Sequence, residues 1–205
     1  SFGGEVGGLA NPTSGVSSAN AITVDSQNRI LVAGMNTGST AQVVQRYASD
    51  ADPDSTETFA STITMASVSR IAEQTSSRIL LAGSALFDSE FGFGTIMAYQ
   101  NTGEAIDPTY GPYGSNGFYT TTSSSPIDDM VLDQYDNAYI VYRGTSVTLE
   151  KVTANGSGLD PIFNDGSPLE TGIIPTDIVH IGINSESNIL VAVSNLNASI
   201  TTALY

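Results

Sequence analysis

An all-β chain built from repeats is predicted by three observations. A hairpin-like segment recurs four times, no stretch carries a helical period, and the copies are spaced by about 50 residues, the span of one small antiparallel sheet. The copies are residues 22–34, 71–83, 130–142 and 181–193; they align without gaps and bring Asp25, Gln74, Asp133 and Asn184 into register. This period, with three to four antiparallel strands per unit, is that of a β-propeller-type fold. The chain is therefore expected to form a single repeat domain over residues 1–205, in units of approximately 1–52, 53–107, 108–160 and 161–205.

Each unit opens on a short alternating strand, as in Ile22 and Val24, Met130 and Leu132, or Ile181 and Ile183. A polar turn of Asp, Ser, Gln and Asn follows, and then a nearly continuous apolar run such as Ile30 to Ala33, Ile79 to Ala82, Tyr139 to Val141 or Ile189 to Ala192. Such a run, bounded by turn residues, suits a strand covered on both faces. Ala33-Gly34 and Ala82-Gly83 come next and would let a neighbouring backbone approach closely. Third strands are expected at Gln42 to Tyr47, Thr95 to Tyr99, Val147 to Val152 and Ile200 to Tyr205, with a further short strand around Gly117 to Thr120. Linkers carrying Asp107-Pro108 and Asp160-Pro161 close the two middle units.

These pieces resemble the bacterial delta-sixty repeats, a β-propeller-type family of unknown function. The resemblance rests on Asp25 to Gly34, Arg46-Tyr47, Leu159-Asp160-Pro161 and Ser1-Phe2-Gly3, and extends over essentially the whole chain. The family's Gly-Lys turn is replaced here by Asn28-Arg29, Ser77-Arg78, Asp136-Asn137 and Ser187-Asn188. Asn and Asp tolerate positive φ, so most of these turns stay feasible. The resemblance implies a fold and hardly constrains a function.

Composition removes several function classes. With 21 acidic against 6 basic side chains the formal charge is -15, which opposes binding to nucleic acid. The absence of Cys excludes disulfide frameworks, thiol catalysis and zinc-finger geometries, and a single His argues against a His-based metal site or a Ser-His-Asp triad. No apolar run is long enough to span a bilayer, so membrane insertion is not expected. A Ser/Thr-rich, Lys-poor surface points to a secreted or cell-surface bacterial protein. The start at Ser1 without Met suggests a processed form.

Five candidate sites follow. Asp50, Asp52, Asp54 and Glu57 alternate in what reads as an acidic loop and resemble the start of an oxygen-ligand calcium site, although Ser55 and Ser61 occupy positions where an EF-hand has Gly and Glu. No other cofactor is expected. Tyr110, Tyr113 and Tyr119 cluster among glycines and would stack on a sugar or anchor a protein interface if exposed; otherwise they pack between blades. Asp128-Asp129 is a carboxylate pair, but neighbours on a regular strand point to opposite faces and should not flank one bond. His180 reads as a satisfied, semi-exposed strand residue. Ser1, Phe2 and Tyr205, where the chain ends fall inside the repeat, are expected to serve assembly, by closing four units, pairing two chains into eight, or joining chains end to end. The expected function is that of a non-enzymatic structural or adhesive subunit that self-associates. The alternative is a glycan- or protein-binding module.

Overall fold

The computed structural model describes residues 16–36, 42–48, 53–60, 65–87, 91–101, 105–112, 117–175, 179–194 and 200–204. Among these the chain folds into four antiparallel sheets, each made from consecutive segments. The first holds β1 (Val16–Val24), β2 (Ile30–Asn36), β3 (Gln42–Tyr47) and β4 (Pro53–Ala60). The second holds β5 (Met65–Glu73), β6 (Ile79–Phe87), β7 (Phe91–Tyr99) and β8 (Phe118–Thr120). The third holds β9 (Ile127–Leu132), β10 (Ala138–Arg143), β11 (Val147–Val152) and β12 (Leu169–Glu170), and the fourth β13 (Val179–Ile183), β14 (Ile189–Ser194) and β15 (Ile200–Leu204). Each sheet is a blade, and β1, β5, β9 and β13 are the innermost strands, packing in succession along the arc. Among the described residues no comparable packing returns from β13 to β1, and there the propeller is not closed.

The apolar runs are buried as their composition demands. In β6, Ile79 and Leu81 belong to a core cluster shared with the first blade, whereas Leu80 and Ala82 face a second cluster shared with the third. Met97 and Tyr99 of β7 join the first of these clusters, Ile96 and Ala98 the second. A third cluster joins Val141, Val147 and Leu149 to Val179, Ile189, Val191 and Val193 of the fourth blade. Period-two alternation with both faces apolar therefore stacks sheet upon sheet.

The hairpin turns keep a glycine-like backbone without glycine. Asn28, Ser77, Asp136 and Ser187, all at the family's Gly position, have φ of 61°, 64°, 67° and 64°. The turn is stabilised from its first residue. Asp25 Oδ1 accepts from the Gln27 and Arg29 amides at 3.0 and 2.8 Å, and Asp133 Oδ1 from those of Tyr135 and Asn137 at 2.8 and 2.9 Å. Asn184 Oδ1 does the same for Glu186 and Asn188 at 3.0 and 2.9 Å. The repeated acidic positions are thus turn chemistry. Gln74 departs, donating instead to the Asp136 and Ala154 carbonyls of the next blade at 2.9 and 2.8 Å. The Asp-Pro linkers are clasped by basic residues: Arg78 binds Asp107 at 2.6 Å, and Lys151 binds Asp160 at 2.9 Å and Asp133 at 3.3 Å.

The inner strands are longer than the alternating pairs suggested, and they are bulged. The register slips by one residue at Asn20 in β1, at Ser69 in β5 and at Asp128 in β9, the same repeat position in three blades. The first two blades carry a second slip just upstream, which lays the Ser18 and Ser67 carbonyls over Gly34 and Gly83. The close backbone approach expected at those glycines is present.

Candidate functional site

The bulges create the site. A bulge leaves one residue without a cross-strand partner and re-aims its side chain. Asn20, Ser69 and Asp128 line a cleft of about 350 Å³ among the inner strands, together with the residues that follow them, Ala21, Arg70 and Asp129. His180 of β13, which occupies the Ala21-Arg70-Asp129 position of the fourth blade, completes the set. Arg143 and Asp128 also line an adjoining cavity of about 290 Å³ with Pro126, Gly144 and Pro175.

Asp129 organises the cleft. Its buried carboxylate accepts the Met130 amide at 2.8 Å on Oδ1 and the Ile181 amide at 3.2 Å on Oδ2. Arg70 Nε lies 3.5 Å from Oδ1, and His180 Nδ1 lies 3.1 Å from Oδ2. One carboxylate from the third blade therefore holds groups from the second and the fourth. Because a carboxylate only accepts, Nδ1 of His180 is the donor, and Nε2 of the neutral ring is left as the acceptor. Asp128 is gripped by Arg143, with Nε at 2.9 and 3.0 Å from its two oxygens and a terminal nitrogen at 2.7 Å. This fork fixes the planes of both groups. The cleft can orient a polar ligand between donors and acceptors. An oriented Asp-His pair is also half of a proton-transfer device, but no activated nucleophile stands beside it among the described residues; the Ser69 hydroxyl donates to the Ile127 carbonyl at 2.7 Å.

The carboxylate pair was expected to point to opposite faces. The bulge at Asp128 overturns that, since both residues line one cleft. His180 is exposed and satisfied by Asp129, in keeping with its sequence reading. Arg70, Asn20 and Ser69 escaped notice, yet the repeat carried the signal: they lie one and two columns upstream of the aligned Ile22, Ile71, Met130 and Ile181.

The other candidates fare differently. Asp54 and Glu57 do not sit in a loop; they belong to β4, which pairs with β3. Register there runs from Gln45 opposite Thr58 to Tyr47 opposite Pro53, so the Asp54 to Glu57 stretch lies opposite Arg46. Asp50 and Asp52 fall outside the described residues, and no group of three or more metal-ligating side chains forms among those described. Tyr110 and Tyr119 offer no stacking face. Tyr110 is wholly buried between the second and third blades, against Gly156, and Tyr119 is buried with its hydroxyl on Glu150. An aromatic ring in a linker is worth more packed between sheets than left in water. Tyr113, Ser1, Phe2 and Tyr205 lie outside the described residues.

Glu150 is a buried carboxyl that accepts from Tyr119 at 3.0 Å and Tyr142 at 2.8 Å. Burial pushes its pKa above the usual carboxylate range, and the two hydroxyls only partly offset this. A carboxyl raised on folding contributes stability that is complete below its unfolded pKa and lost as pH rises through its folded one. Wild-type protein should therefore lose more stability than Glu150→Gln between pH 4 and pH 8, read as the difference in urea midpoints. Equal slopes would remove Glu150 from the pH dependence.

Among solved structures, the chain is similar to a protein of unknown function from Bacteroides caccae, with a TM-score of 0.53 and 14% identity, over 91% of this chain and 60% of that one. It is also similar to PorZ, an essential bacterial surface component of the type-IX secretion system of Porphyromonas gingivalis, with a TM-score of 0.52 and 13% identity, over 91% of this chain and 26% of that one. The chain thus spans only part of the length of each, and at these identities the likeness is one of fold. No family model and no curated protein matches the sequence, so the delta-sixty resemblance rests on its sequence motifs alone.

Proposed function

We propose that this chain is a non-enzymatic, propeller-type binding module of a secreted or surface-exposed bacterial protein, with its ligand in the cleft between the inner strands. The observation that carries the reading is the convergence of Arg70, Asp129 and His180, one from each of three blades at the same repeat position, on a cleft of about 350 Å³. Polar groups that converge in a preformed concavity are the usual mark of a ligand site. A surface location is supported by the Lys-poor composition and by the similarity in fold to PorZ, a bacterial surface component. A screen of the purified protein against arrays of bacterial and host glycans and surface proteins tests the reading. The expected result is binding that is lost when Asn20, an exposed residue of the cleft wall, is changed to Trp. No ligand, or binding that survives the blocked cleft, would overturn it.

A specific observation also favours self-association, the role first expected from the sequence. Ile22 and Val24 on the first blade are 65% and 59% exposed, and the first blade has no blade packed behind it among the described residues. Light scattering at increasing concentration, with Ile22→Thr/Val24→Thr as the comparison, tests this. A protein monomeric throughout would exclude it.

A further inference from the structure

From the distribution of its cations we infer that the cleft takes a carboxylate-bearing sugar, a uronate unit of an acidic glycan; the inference rests on the binding-module reading. The sequence holds seven basic side chains, six Lys or Arg and one His. Four are withdrawn into structural roles: Arg46 is buried, and the side chains of Arg29, Arg78 and Lys151 are only 15–18% exposed, each in a clasp with Asp. The remaining three, Arg70, Arg143 and His180, are 48%, 44% and 67% exposed, and all three line the two cavities that meet at Asp128.

In a chain of charge -15, the two well-exposed arginines and the exposed imidazole thus converge on one place. Asp129 and Asp128 pair with Arg70 and Arg143, but the two carboxylates are only 6% and 13% exposed against 48% and 44% for the arginine side chains, so the accessible part of each pair is the arginine. A planar guanidinium matches a carboxylate in a bidentate fork. A bare anion would leave the rest of the lining unused. Asn20 and Ser69, delivered by the bulges, supply hydrogen-bonding groups along the same wall, and His180, whose Nδ1 is held by Asp129, keeps Nε2 for a hydroxyl. A carboxylate at one edge and hydroxyls around a ring answer that pattern, and the cleft is of the size that holds a small ligand.

The single histidine makes the test direct, because one imidazole signal reports the site. Trigalacturonate titrated into the intact chain should shift the His180 ring resonance saturably, and the apparent Kd should rise at least tenfold for the fully methyl-esterified trimer. Arg70→Gln should weaken trigalacturonate at least tenfold while leaving the thermal midpoint near wild type. Should that variant fail to fold, the acid-against-ester comparison on the wild-type chain still decides. Ester binding as tight as the acid would overturn the acidic-sugar inference and leave the binding module standing. Sodium acetate or sulfate saturating the same shift at the same concentration would also overturn it, in favour of a simple anion site. No shift with trigalacturonate, alongside an array hit lost in Asn20→Trp, would refute the inference alone; no hit at all would refute both.

Discussion

Gly83→Ala is expected to lower the stability of the chain by about 3 kcal/mol or more, at the upper end of what overpacking does. A Cβ built on Gly83 would stand 2.0 Å from the Ser67 carbonyl oxygen and 3.0 Å from the Val68 Cα. Both obstacles are backbone, and both belong to the bulged stretch of β5 that feeds Ser69 and Arg70 into the cleft. The Ser67 and Ser84 hydroxyls, 2.8 Å apart, tie the same two strands together. Room for the methyl group requires prising β5 off β6. For a chain of this size the loss corresponds to a fall in Tm of about 6–12 °C. Gly158→Ala is the matched control: nothing lies within 4 Å of its added Cβ, and the change should stay within about 0.5 kcal/mol. Thermal denaturation of the two variants side by side checks the prediction, and equal Tm values would refute the close approach.

Asp129→Ala is expected to remove about 3–4 kcal/mol, because it takes a partner from four groups at once. Two are the backbone amides of Met130 and Ile181, in contact with Asp129 at 2.8 and 3.2 Å, and a buried N–H without a partner costs about 1–3 kcal/mol. The other two, Arg70 and His180, would lose the charge that places them. The damage should be directional. The Ile181 amide, which joins the fourth blade to the third, should lose far more hydrogen-exchange protection than the Leu80 amide in β6. Asp129→Asn, which keeps one accepting oxygen, should fall between wild type and Ala. A urea midpoint for Asp129→Ala within about 0.5 kcal/mol of wild type would refute the organising role.

The blades were legible because they depend on local rules. Apolar runs such as Ile79 to Ala82 and the turn positions from Asp25 to Asn28 announce themselves wherever a strand is covered on both faces or a hairpin needs positive φ. The cleft was not legible because it is made by exceptions. An extra residue at Asn20, Ser69 or Asp128 breaks the period-two alternation, so the upstream halves of β1 and β5 read as irregular polar sequence. The pairing of Asp128 with Asp129 was misjudged for the same reason. The acidic run around Asp54 read as a loop because its composition is that of a turn, whereas the pairing that makes β4 a strand comes from Gln45 and Tyr47 across the sheet. Tyr110 and Tyr119 were ambiguous by nature, since a ring with a hydroxyl suits either an interface or a core.

Each of the three core clusters bridges two consecutive sheets, and no cluster bridges the first and the last. Such an arrangement behaves as a row of coupled units, in which each unit borrows its stability from its immediate neighbours. Among the described residues the second and third blades are clamped on both sides, and the first and fourth on one. Thermal opening is therefore expected to begin at the first and fourth blades and travel inward, with β6, β7 and β10 the last to exchange their amides. The cleft lies where β1, β5, β9 and β13 converge, so its walls come from both flanks as well as from the middle. A ligand seated there would splice the two least anchored blades to the two most anchored, and would slow the fraying of both flanks together.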